Sequence, residues 1–193
     1  MKIDLIEIYK GLDEWRVERG ITVESQKKGY LVNVMEEFGE LAQALRDYEK
    51  FSKQDGIEKQ NAEHQIIDAI CDICVFTINA GADIRANEKI VEIDTEVEAS
   101  FEPDDFYVLI KLCAGYAGYL NSSLCFNEIF VICARICEYY GFNFETAMLE
   151  TINEISSRTG SYDEKAKKWV KDTSDDAKSK WYKADYEKAR AKK

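Results

Sequence analysis

The chain has 193 residues, 37 Asp plus Glu against 26 Lys plus Arg, a formal net charge of −11, six cysteines, one histidine and one proline. One proline favours long helices over a turn-rich β fold, and one histidine, His64, excludes a two-histidine zinc protease and a ferritin-like di-iron bundle. The acidic balance argues against a nucleic-acid polymer as partner, and 46% hydrophobic with 33% charged residues describes a globular chain.

The N-terminus, MKIDLIEIYKGLDEW, carries charge and helical periodicity rather than a signal-peptide core. Residues 3–19 are expected to form an amphipathic helix, with Ile3, Ile6, Ile8, Leu12, Trp15 and Val17 on its apolar side and Gly20 ending it. Residues 24–50 follow as one long helix, a polar break falls around Gly56, and residues 61–80 form a third helix closed by Gly81. In 82–102 the piece KIVEIDTEVEA alternates apolar and acidic residues, compatible with a short strand pair or an irregular connection. Pro103 with Asp104 and Asp105 looks like a first helical turn, with acids at its positive end. The stripe FYVLIKLCAGYAGYL continues to about residue 120, a further helix covers about 126–140 to Gly141, and FNFETAMLETINEISSR is another, stopped at Gly160.

No apolar run approaches the length of a membrane span. Cys71, Cys74, Cys113, Cys125, Cys133 and Cys137 fall mostly in apolar helical segments, which fits reduced core thiols of a cytoplasmic protein. Cys71-x-x-Cys74 and Cys133-x-x-x-Cys137 could in principle share a zinc, but mid-helix placement without a turn favours core packing. The hairpin at 104–140 matches that at 30–80 in length and apolar texture, without its acids. Either a duplication or the general likeness of amphipathic hairpins explains this.

The division 1–160 and 161–193 follows from charge. The last 33 residues carry 11 Lys plus Arg against 7 acids, net +4, which leaves −15 on the body. Tyr162, Trp169, Trp181, Tyr182 and Tyr186 suggest that this extension docks on the body rather than trailing in solvent.

Chemistry concentrates in Glu36-Glu37-Phe38-Gly39-Glu40 and in Gln65-Ile66-Ile67-Asp68 through Asp72. Spacings of three and four put Glu36, Glu37 and Glu40 toward one side of one helix, and Gln65, Asp68 and Asp72 on a stripe of the next. Antiparallel packing would gather up to five carboxylates. Buried together they repel and resist ionisation, a conflict that a hard divalent cation relieves through oxygen ligands. A solvated acidic face is the alternative for the first helix alone; the second stripe, interrupting an Ile- and Cys-rich helix, argues for a site.

At these residues the chain resembles the all-α nucleoside triphosphate pyrophosphatase superfamily, which includes the dimeric dUTPases, and within it the MazG-like nucleotide pyrophosphohydrolases of the kind phages encode. Glu-Glu-x-x-Glu followed on the next helix by an acid-x-x-Asp is the shared pattern, over roughly residues 25–82. MLETINEISSRTGSYDEKAKKWVKD and AKSKWYKADYEKAR extend the likeness over about 145–190. The resemblance implies a helical bundle and Mg²⁺-dependent (or Mn²⁺-dependent) cleavage of a (d)NTP to the monophosphate and pyrophosphate. It implies Glu37, Glu40 and Asp68 as metal ligands, with Asp72 in support, and Glu36 holding a second metal or activating water; Glu36 and Glu37 are the catalytic candidates. The family's acid three residues before this Asp is Gln65 here, an amide that coordinates without charge. Arg158, Lys168 and Lys183 read either as cations that neutralise phosphates or as ordinary surface charges, and the likeness implies Asn153, Asp185 and Tyr186 as substrate contacts. The family habit is a homo-oligomer, a dimer or tetramer, although a duplicated hairpin could let one chain mimic a dimer. A non-catalytic relative that binds nucleotide or a protein is the rival reading. Trp15 could stack on a base or belong to the core, and His64 could be a polar support or simply exposed.

Overall fold

In a computed structural model the described residues are 2–3, 5–54, 56–85, 93–94, 104–118, 123–163 and 168–191. The fold is mostly helical and of the all-α class; its described strands are two short antiparallel pairs.

The chain starts with strand β1 (Lys2–Ile3) and helix α1 (Ile6–Glu18). The helix expected from residue 3 therefore begins later. Lys2 and Ile3 pair instead with Asp94 and Ile93 of β2 (Ile93–Asp94), so their backbone groups are committed to a ladder. Gly20, at φ 62°, takes the left-handed conformation that stops α1. Thr22 then accepts a hydrogen bond from the Ser25 backbone N–H and caps α2 (Val23–Phe51), a helix of 29 residues. Helix α3 (Ile57–Ala80) starts four residues earlier than its apolar pattern indicates. Its first turn, Ile57-Glu58-Lys59-Gln60, contains good helix formers with nothing to bury, so propensity rather than periodicity sets that end. After the short α4 (Ala82–Arg85) come α5 (Asp104–Gly118) and α6 (Ser123–Tyr139). Pro103 and the rest of 86–102 apart from β2 lie outside the described residues.

Helices α2 and α3 form one hairpin and α5 and α6 a second. The two pack face to face, α2 on α5 and α3 on α6. Helix α3 is the central element: Ile66, Ile67, Ile70, Cys71, Ile73, Cys74 and Ile78 are all fully buried. Across the α3–α6 interface Cys71 meets Cys137 and Cys74 meets Cys133 as hydrogen-bonded thiols, and burial pushes both α3 thiols upward in pKa. Tyr30 of α2 and Tyr116 of α5 meet edge to face, their centroids 5.2 Å apart.

Gly141, at φ 80°, turns the chain into α7 (Phe144–Ser157), which Asn143 caps by accepting from the Thr146 backbone N–H. Helix α7 packs on α1 and α3. Beyond it come strands β3 (Gly160–Asp163) and β4 (Lys168–Lys171), paired as an antiparallel hairpin, then α8 (Asp175–Lys180) and a 3₁₀ turn, Tyr186–Ala189. The 3₁₀ turn lies on α7: Tyr186 and Ala189 are buried, and Arg190 bridges to Phe142. His64 serves as support here, its Nε2 2.7 Å from Glu187 Oε1 and its ring against Phe142 and Tyr186. No helix among the described residues is long and apolar enough to cross a membrane.

Candidate functional site

On α2 the buried stripe runs Tyr30, Val34, Glu37, Leu41, Ala44. Its spacing of four, three, four and three is that of a core-facing seam, and Glu37 occupies one of its positions. Glu36 and Glu40 flank the seam and are exposed. On α3, Asp68 and Asp72 are half-buried among fully buried neighbours. The α2–α3 hairpin is antiparallel and brings Glu40 and Glu37 into electrostatic reach of Asp68, and Glu37 into that of Asp72.

These five carboxylates line one cleft of about 430 Å³ together with Trp15, Val75, Phe76, Ile155, Arg158, Trp169 and Lys171. Thus α2 and α3 bring the acids, while the segment that leaves α7 and strand β4 bring two cations. The electrostatics follow. Burial, then Glu40, Asp68 and Glu36, push the Glu37 carboxyl up to about 7, and Arg158 opposes them. Asp72 rises well above the usual range, chiefly through burial and then through Asp68 and Glu37. Asp68 also rises by burial, against the hydrogen bond that Tyr186 gives it.

A second layer holds these groups. The Tyr186 hydroxyl donates to Asp68 Oδ1 at 2.5 Å and lies 3.0 Å from Thr151 Oγ1, which donates to the Ala147 carbonyl. Arg158 Nη2 donates to Glu154 Oε1 at 2.6 Å, while the buried Nε of Arg158 has no hydrogen-bond partner among the described residues. Arg19 Nη2 binds the carbonyls of Ile155, Ser156 and Arg158, closing the end of α7. Trp15, half-buried, donates from Nε1 to the Ile155 carbonyl and also borders the cleft, so its two sequence readings are compatible.

Of the residues marked out by the sequence, Glu36, Glu37, Glu40, Asp68, Asp72 and Arg158 come together here. Gln65, one turn before Asp68, is exposed and does not line the cleft, so the amide lies beyond the level of Glu40 on the antiparallel hairpin. Tyr186 acts from behind Asp68 rather than from the cleft surface. Asn153 is exposed in a separate groove between α1 and α7. Lys183 and Asp185 are exposed outside the cleft, because residues 182–185 wrap around Glu150 and Glu154: Glu150 accepts from Tyr182 Oη and the Asp185 N–H, and Glu154 from the Ala184 N–H. Lys168 opens β4 opposite Asp163, and its side chain lies outside the described part. Five lining residues were not marked as site residues by the sequence: Val75, Phe76, Ile155, Trp169 and Lys171. The β-favouring pair Trp169-Val170 was the available signal for the strand, and nothing in the sequence pointed it at the acids.

The donor set, oxygen only and rich in carboxylate, suits Mg²⁺ or Mn²⁺. The raised carboxyls are the charge conflict that such a cation removes. As placed, no three His, Cys, Asp or Glu side chains among the described residues form a group that could hold a metal ion; the acids stand around the cleft without converging. Compared with known proteins, the chain matches no family model, no curated protein and no solved structure.

Proposed function

We propose that the protein is a MazG-like nucleotide pyrophosphohydrolase, converting a nucleoside triphosphate and water to the monophosphate and pyrophosphate. One observation carries the reading: a single cleft lined by five carboxylates on one helical hairpin and by Arg158 and Lys171 from outside it. Glu37, Glu40 and Asp68, with Asp72, would hold Mg²⁺ once their side chains turn inward to converge on it, and a bound cation would supply charge neutralisation and polarisation of the phosphoryl oxygens. Arg158 and Lys171 bind the phosphates and meet the negative charge that builds on the leaving pyrophosphate. Glu36, exposed beside Glu37, orients the attacking water and takes its proton as the new P–O bond forms and the bond to pyrophosphate breaks. Tyr186 fixes the Asp68 carboxylate from behind, and Arg19 fixes the segment that carries Arg158.

A panel of canonical dNTPs and NTPs, assayed for binding by calorimetry and for pyrophosphate release with Mg²⁺, tests this. Metal-dependent release from at least one nucleotide is expected. Tight nucleotide binding without turnover would replace the hydrolase by a non-catalytic nucleotide-binding module, and neither binding nor release would end the nucleotide reading.

A further inference from the structure

Strand β4 places Trp169 and Lys171 two residues apart, so both side chains leave the same face of the strand, and both line the acidic cleft. Val170 between them is exposed on the other face. The hairpin holds this register through Tyr162 opposite Trp169 and Gly160 opposite Lys171. Gly160 also gives the indole its seat: a side chain there would run into the Trp169 ring and the Val170 carbonyl.

The indole is fixed a second time. The Arg19 guanidinium carbon lies 5.3 Å from the Trp169 ring centroid and 5.4 Å from that of Trp15, and its Nη2 is tied to the three carbonyls at the end of α7. A cation anchored this firmly between two rings holds them with little freedom left to lose on binding. The cleft therefore pairs a pre-set aromatic surface with a cation about 6.6 Å further along the same strand. Inorganic phosphates have no use for the first, and an uncharged base has none for the second.

The geometry points to the β3–β4 hairpin as the part of the cleft that recognises the base: Trp169 stacks on the flat nucleobase while Lys171 binds a phosphate of the same nucleotide. This rests on the cleft being a nucleotide site and is independent of whether it turns the nucleotide over.

Calorimetry on the full chain with Mg²⁺ tests it, using a dNTP analogue with a non-hydrolysable α,β-imido linkage and, in parallel, inorganic tripolyphosphate. The wild type is expected to bind the analogue more tightly than tripolyphosphate. Trp169→Ala weakens the analogue about 10-fold or more, the loss of one base–aromatic stack, and leaves tripolyphosphate unchanged. Trp169→Phe recovers most of the loss, Lys171→Ala weakens both probes, and Val170→Ala, on the same strand but facing away, weakens neither. An unchanged analogue affinity in Trp169→Ala, or an equal loss for both probes, overturns the inference, the second by assigning Trp169 a purely structural role. Trp169-dependent binding without dNTP turnover would uphold the inference and refute the hydrolase. Turnover with analogue affinity indifferent to Trp169 would do the reverse. A wild type that binds neither probe refutes both.

Discussion

The hydroxyl of Tyr186 donates to Oδ1 of Asp68 at 2.5 Å, joining the C-terminal 3₁₀ turn to the middle of the central helix. The bond favours the ionised carboxylate, against the burial that raises its pKa. Tyr186→Phe is therefore expected to raise the Asp68 pKa further. It should weaken Mg²⁺ binding and lower kcat/KM by about 10- to 100-fold, the usual effect of losing a group that orients a metal ligand. Titration of Mg²⁺ against the variant checks this; unchanged metal affinity would show that the hydroxyl serves packing alone.

The acidic cleft predicts a pH-dependent response to metal. Burial and the neighbouring carboxylates push Glu37 up to about 7 in the fold, from 4.5 for the ordinary group, and Asp68 and Asp72 shift in the same direction. The folded state holds these protons more tightly than the unfolded chain. The stability this confers is complete below the unfolded pKa and is lost as pH rises through 7. A divalent cation favours the ionised forms and offsets the loss. Without metal, Tm should fall between pH 5 and 8, and the rise in Tm on adding Mg²⁺ should be larger at pH 8 than at pH 5.

Glu150 ties the C-terminal segment down. Burial raises its pKa, but Tyr182 Oη, the Asp185 N–H and Lys188 outweigh that, leaving it below the usual carboxylate range. Glu150→Ala removes the acceptor for these three donors and should destabilise the fold by about 2–3 kcal/mol. Limited proteolysis should then cut within residues 172–191 before the bundle; loss of stability without earlier cleavage there would contradict the assignment.

Gly81, at the end of α3, marks where the two hairpins meet. A Cβ at this position would lie 2.5 Å from Tyr116 Oη and 2.6 Å from Phe126 Cε2. Gly81→Ala should cost about 1–3 kcal/mol through displacement of those rings. Thermal melts would register this, while activity well below Tm should persist, because the cleft is lined by other residues.

Much of this architecture was legible because its signals are local. Helical period gave the helices, and Gly20 and Gly141 punctuated them through left-handed backbone. Asp68 and Asp72 were visible as acids interrupting an apolar helix, whereas Glu37 read as one of three acids on a side of its helix and its place in the core-facing seam was not legible. The pairing of Lys2–Ile3 with Ile93–Asp94 was not legible, since two-residue strands distant in sequence carry no periodic signal. Nor was the role of the β3–β4 hairpin: Trp169 and Lys171 reach the cleft through packing far from the acids in sequence. The wrapping of residues 182–185 around Glu150 and Glu154 likewise depends on tertiary contact, which is why Lys183 and Asp185, basic and acidic surface residues by pattern, fall outside the cleft.

The most direct test is pyrophosphate release by the wild type and Glu40→Gln side by side, with a panel of dNTPs and NTPs and with or without Mg²⁺. Glu40 is exposed at the cleft wall, so the substitution removes a charge with little effect on the core. Release by the wild type that requires Mg²⁺ and falls by at least about 100-fold in Glu40→Gln is the predicted result. Release that persists undiminished in Glu40→Gln, or its absence from the wild type with every nucleotide, would contradict the account.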